Sequence, residues 1–215
     1  MEIISHRGLW KVSNEKNKLL SLERSFDFGF GTETDIRDLN GELVISHDMP
    51  NVKAKDLVRL DDFFKAYKSF NNELVLALNI KSDELQENLE LELKKYEIKN
   101  YFLFDMSIPD SIKYLNKGLN VFFRQSEYEK EVPLYNKIKG IWLDCFDSIW
   151  YDIELINNHI KNGKTVCLVS EELHGRPYKP FWELIKNWKL NLNNKLILCT
   201  DYPELAYEFF ENEKN

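Results

Sequence analysis

Long apolar runs are missing from this chain of 215 residues. No window approaches the ~18 consecutive apolar residues of a membrane span. Met1 to Ser5 lead straight into a strand-like segment, with no basic stretch and no cleavable apolar core ahead of it. Cysteine is scarce: Cys145, Cys167 and Cys199 are odd in number, far apart, and set in or beside apolar runs. Small buried hydrophobes explain them better than disulfides or metal ligands. Positive charge is also in deficit, with 29 basic against 36 acidic side chains and a net charge of −7. An acidic chain gains nothing from long-range attraction to nucleic acid or an anionic bilayer, so we expect neither as a partner. Glycine and proline number only 8 and 6, and no linker, low-complexity tract or short repeat interrupts the sequence. Together these absences lead us to expect a cytoplasmic protein without a membrane span, folded as a single domain over residues 1–215.

Apolar material is ample, at 43% hydrophobic and 13% aromatic residues, enough to fill one sizeable core. It is arranged in a recurring order: a short β-rich run, a polar punctuation, then a helical pattern. Strand candidates are Glu2–Ser5, Thr32–Ile36, Leu74–Ile80, Tyr101–Phe104, Asn120–Phe123, Gly140–Leu143, Thr165–Val169 and Lys195–Cys199. A further short β run covers Glu42–Ile45. Between the strands, 3.6-residue spacing marks a stretch through Leu22 and Phe26, then Leu60–Ser69, Asp83–Lys95, Pro109–Lys117, Asp152–Lys161, Phe181–Trp188 and Pro203–Glu211. Pro109 and Pro203 fall where a first helical turn accepts a residue without an N–H, and Gly118 and Gly163 where helices stop. Strands that alternate with helices pair in parallel through crossovers. Eight such units point to a compact α/β fold, a (β/α)8 TIM-type barrel, with an open doubly wound sheet as the runner-up. Gln125–Lys139 is short for a full helix, so the unit between the fifth and sixth strands is expected to be degenerate.

In parallel α/β architectures the reactive residues stand at the C-terminal strand ends. The first strand ends in Ser5-His6-Arg7-Gly8; the second carries Glu33 and Asp35; the short run after it ends in Ser46-His47-Asp48. The third ends in Asn79-Ile80-Lys81, the fifth in Arg124, the sixth in Asp144, the seventh in Ser170-Glu171-Glu172. Glu33 and Asp35, two apart on a strand, point to one face. Carboxylates brought together there repel unless a positive group intervenes, and a hard divalent cation is the usual one. Asn79 and Lys81 repeat the spacing; Asn79 offers an amide oxygen. His6 and His47 titrate near neutrality and suit a base and an acid on opposite sides of a substrate. Arg7 and Lys81 suit the non-bridging oxygens of a phosphate. The competing reading makes Glu33 and Asp35 partners of Arg7 and Arg37 only.

These ordered pieces resemble the glycerophosphodiester phosphodiesterase family and the wider group of β/α-barrel phospholipases: I-S-H-R-G at the start, E-T-D-I-R-D-L-N-G-E-L-V-I-S-H-D, L-N-I-K, and T-D-Y-P-E-L near the end. The resemblance implies a metal-dependent phosphoric diester hydrolase acting on a small phosphodiester. His6 and His47 would be its catalytic pair, Glu33 and Asp35 its metal ligands with Asn79 beside them, and Arg7 and Lys81 its phosphate holders. The cofactor implied is one divalent cation, Mg2+ or Ca2+, with Mn2+ as a third candidate. One position departs from the family, which carries Glu where this chain has Asn79; an amide coordinates but adds no charge, so weaker metal affinity or a changed preference is expected. The stretch Val169–Pro177 reads as a substrate-selecting loop, so Glu172, His174 and Arg176 are substrate-binding candidates, with Arg124 beside them. Trp10, in the first loop, is a candidate pocket wall. His159, in a polar run, reads as a surface or hydrogen-bonded structural histidine.

Overall fold

The computed structural model describes residues 1–51, 56–70 and 73–211. The chain sorts into two compact units, one of residues 5–121 and one of residues 1–4 with 122–215.

The first strand, β1 (Glu2–His6), passes from one unit into the other. In the unit of residues 5–121, α1 (Leu19–Asp27) leads into β2 (Gly31–Leu39), followed by β3 (Glu42–Ile45), β4 (Val58–Arg59), α2 (Leu60–Ser69), β5 (Leu76–Ile80), α3 (Gln86–Lys95), β6 (Tyr101–Phe104) and α4 (Ile108–Asn116). β2 lies between an antiparallel neighbour, β3, and a parallel one, β5; β5 in turn pairs in parallel with β6. The parallel register sets Asp35 beside Asn79, and Asn79 beside Phe104. Both faces of β5 are covered, all five of its residues being buried, and the run Leu76–Ile80 accordingly carries no apolar–polar alternation. α1 and α2 each bury one stripe, Leu22 and Phe26 on the first, Leu60, Phe63, Phe64 and Tyr67 on the second. Phe26 meets Phe63 and Tyr67 at ring separations of 5.8 and 5.3 Å.

In the other unit, β7 (Phe122–Gln125), β8 (Gly140–Leu143), β9 (Thr165–Val169) and β10 (Leu196–Thr200) form a continuous parallel array. α5 (Ile153–Lys161) links β8 to β9, α6 (Tyr178–Asn187) links β9 to β10, and α7 (Pro203–Glu211) follows. No helix lies between β7 and β8, the degenerate connection expected from its length. Gly140 is needed at the start of β8, because a Cβ there would lie 2.4 Å from the Phe122 ring and from the Thr165 carbonyl oxygen. All three cysteines are buried and unbridged. Among the described residues no helix is long and apolar enough to cross a membrane. Strands alternating with helices and paired in parallel make a mixed α/β fold compatible with the (β/α)8 barrel.

Candidate active site

Among the described residues of the unit 5–121, the acidic pair is the most deeply buried charge. Glu33 is 1% exposed, Asp35 is fully buried and Asn79 is 7% exposed. Their common face follows from the register: Asp35 and Asn79 are lateral partners in parallel strands, and Glu33 precedes Asp35 by two. Burying an unbalanced carboxylate is costly, so the surroundings must neutralise or ligate it.

Three groups reach Asp35 and a fourth reaches Glu33. Arg7 Nε stands 3.0 Å from Oδ2, the Asn17 amide donates to the same oxygen at 2.7 Å, and Lys81 Nζ lies 3.5 Å from Oδ1. His6 Nε2 is 3.9 Å from Glu33 Oε2. The coverage is incomplete. Glu33 Oε2, Asp35 Oδ1 and Asn79 Oδ1 are buried oxygens without a hydrogen-bond donor. Burial, then the neighbouring Asp35, pushes the Glu33 carboxyl well above the usual carboxylate range, against the pull of Arg7, Lys81 and a hydrogen bond from Asn79. Two carboxylate oxygens and one amide oxygen without donors are the ligand chemistry of a hard divalent cation. Among the described residues no group of three or more His, Cys, Asp or Glu side chains is placed to hold a metal.

Backbone bonds fix the strand ends that carry this network. Arg7 N donates to the Glu33 carbonyl, Lys81 N to that of Ile36, and Ser46 N to that of Asp35, at 2.9 to 3.0 Å. Arg7 adopts φ 59°, an uncommon left-handed conformation for a residue with a side chain, and Gly8 follows at φ 85°. A Cβ on Gly8 would lie 2.5 Å from Ser21 Oγ, so only glycine lets the turn press against α1. His47 joins through its backbone. Its carbonyl accepts from Arg37 Nε at 3.1 Å, and the same guanidinium donates to the Lys81 carbonyl at 3.0 Å. The imidazole itself is 47% exposed, with Nδ1 2.8 Å from Asp48 Oδ1. Trp10 carries Lys16 Nζ over its ring at 4.4 Å and buries its Nε1.

The remaining candidates lie in the other unit, each engaged locally. Asp144 accepts from Cys145 N at 2.9 Å and pairs with His174 Nε2 at 2.7 Å. Arg176 grips Glu171 and the carbonyl oxygens of Cys145 and Phe146. Glu172 takes hydrogen bonds from Ser170, Thr200 and the Asp201 amide, while burial raises its pKa. Arg124 pairs with Glu129 at 2.6 Å and lies over the Phe146 ring.

The structure thus brings His6, Arg7, Glu33, Asp35, Asn79 and Lys81 into one network and ties the His47 segment to it. Of the competing ion-pair reading, the Arg7 half is seen; Arg37 goes to two carbonyls instead. Three participants escaped the sequence reading: Asn17, Arg37 as a tether, and Asp105, whose Oδ2 is 3.6 Å from Lys81 Nζ. Asp105 follows the last residue of β6, so reading that strand's end as the others were read would have found it.

No model of a known protein family and no curated protein matches this sequence. Solved structures do share the fold. A protein assigned as a glycerophosphodiester phosphodiesterase from Galdieria sulphuraria aligns with 98% of this chain and 98% of its own, at 18% identity and a TM-score of 0.78. A glycerophosphodiester phosphodiesterase from Agrobacterium tumefaciens covers 98% and 99%, at 13% identity and 0.75. A phosphodiesterase from Oleispira antarctica, in complex with its product sn-glycerol-3-phosphate, covers 98% and 97%, at 17% identity and 0.68. The fold agrees with the one that the motifs imply.

Proposed function

We propose that this chain is a divalent-metal-dependent phosphodiesterase that cleaves a glycerophosphodiester-like substrate. The observation carrying this reading is the set of three buried, donor-less oxygens of Glu33, Asp35 and Asn79, flanked by the cations of Arg7 and Lys81 and by the His6 imidazole. Similarity of fold to phosphodiesterases, one holding sn-glycerol-3-phosphate, supports it.

A cation held by Glu33, Asp35 and Asn79 would supply Lewis acidity, drawing charge from a phosphate oxygen and acidifying a substrate hydroxyl. Arg7 and Lys81 bind the non-bridging phosphate oxygens and stabilise the charge that gathers there. One imidazole of the pair His6 and His47 takes the proton of the glycerol 2-hydroxyl as its oxygen bonds to phosphorus. The other, protonated, hands its proton to the departing alcohol as that phosphorus–oxygen bond breaks. Water then opens the cyclic phosphate with the two roles exchanged, releasing glycerol phosphate or its polyol counterpart. Trp10 is a proposed contact for the alcohol groups.

Asn79 favours a second reading, a catalytically weakened barrel that binds a phosphorylated ligand, because its amide contributes no charge. A lyase that stops at the cyclic phosphate is the third outcome. The test is a phosphodiester panel incubated with Mg2+, Ca2+ or Mn2+, and with chelator, followed by phosphorus NMR. Linear monoester formed only with metal supports hydrolysis; a persistent cyclic phosphate identifies the lyase. Binding without turnover for every substrate rejects the enzyme.

A further inference from the structure

We propose that Asp105 is a positioning residue that draws the Lys81 ammonium off Asp35, leaving one carboxylate oxygen of Asp35 open to a divalent cation. The inference rests on the metal reading above and adds a residue to it. Lys81 Nζ stands 3.5 Å from Asp35 Oδ1 and 3.6 Å from Asp105 Oδ2, shared between two carboxylates and in close contact with neither. Asp35 Oδ1 is the same atom that is buried without a hydrogen-bond donor. An ammonium that closed on it would make the ion pair complete and occupy the position a metal needs, since two cations compete for one oxygen.

Asp105 is placed for this by topology. It follows β6, next in the sheet to the strand that ends at Lys81, and Asn79 is the register partner of Phe104. It holds a left-handed conformation, φ 74°, which Asp tolerates better than most residues do. Its side chain is 16% exposed and that of Lys81 20%, so solvent screens the pair only in part. With Asn79 in place of an acid, the cation position has two carboxylates alone, and losing one oxygen to Lys81 would leave it too weak to bind.

Calorimetric titration with Ca2+ and Mn2+ tests this on the full chain, as a cycle of the parent, D105N, K81M and the double variant, each checked by thermal melting. Asn keeps the shape of Asp and tolerates the left-handed backbone; D105G provides a second, unstrained replacement. D105N and D105G should weaken cation binding by roughly 10–100-fold, the usual cost of losing a group that orients a metal ligand. In the K81M background the same substitution should change affinity less than about threefold, because the competitor is gone. Unchanged affinity in D105N, or an equal loss with and without Lys81, overturns the proposal while leaving the metal reading intact. A parent chain that binds neither cation overturns both.

Discussion

The Asn17 carboxamide donates to Asp35 Oδ2 at 2.7 Å and accepts from Thr34 Oγ1 at 2.8 Å. Both bonds are buried, and Asn17 sits at φ 60°, which asparagine tolerates better than most residues. N17A should cost about 1–3 kcal/mol, the price of leaving a buried charged acceptor without its donor. N17D should cost more, since it sets a second carboxylate against Asp35. Urea unfolding of the two variants measures the difference; equal stabilities would mean that Asp35 does not depend on this amide.

His47 has a half-exposed imidazole, so its removal should leave the fold alone. H47A and H6A are each expected to lower turnover by roughly 10²–10⁴, the worth of a positioned acid or base. For H47A the melting temperature should stay with the parent. Undiminished turnover in either variant rejects the paired-histidine scheme.

Two glycines share a positive φ of 85° but differ in surroundings: Gly8 abuts Ser21, whereas Gly41 has nothing within 4 Å of a Cβ. G41A should lose only the conformational penalty, on the order of 1 kcal/mol. G8A adds a steric clash to that penalty, and should be the less stable of the two in denaturant melts. It should also lose activity, because Arg7 precedes it.

Acid should destabilise the chain through His159. This imidazole is 3% exposed, donates from Nε2 to Gln125 Oε1 and pairs through Nδ1 with Tyr135 Oη at 2.8 Å each, and has its pKa lowered by burial and then by Lys164. The unfolded chain, with an ordinary value near 6.5, therefore takes up the proton first as pH falls. Stability conferred by the neutral ring is complete above about 6.5 and is lost as pH falls below it. H159Q should flatten the stability profile between pH 7 and about 5; an unchanged slope assigns the acid sensitivity elsewhere.

Much of the fold was legible because hydrophobic period and punctuation act locally. Tyr101–Phe104, Gly140–Leu143, Thr165–Val169, Leu60–Ser69 and Pro203–Glu211 coincide with observed elements. The fifth strand is displaced, running from Phe122 to Gln125; Val121 makes only an isolated bridge to Leu103, and continuous pairing starts with Phe122 opposite Gly140. The two-residue β4 escaped notice, since its identity depends on antiparallel pairing with β3 rather than on its own pattern. In the site, Glu33, Asp35 and Asn79 were readable from i, i+2 geometry on adjacent strands. Asn17 was not: its role depends on a loop turning back onto β2, and no spacing rule encodes that return. His159 reads as a surface or hydrogen-bonded structural histidine, and the second of these holds: the ring lies inward, between Tyr135 and Gln125.

His6, Arg7, Asn17, Glu33, Asp35, His47, Asn79, Lys81 and Asp105 all belong to the unit of residues 5–121, one uninterrupted stretch of chain. A genetic crossover between the codons for Val121 and Phe122 would therefore hand the whole ionic network to a recipient intact. Arg124, Glu172, His174 and Arg176 fall on the far side of that joint, so shuffled libraries cut there would vary these four side chains while keeping Glu33, Asp35 and Asn79 on one inherited fragment.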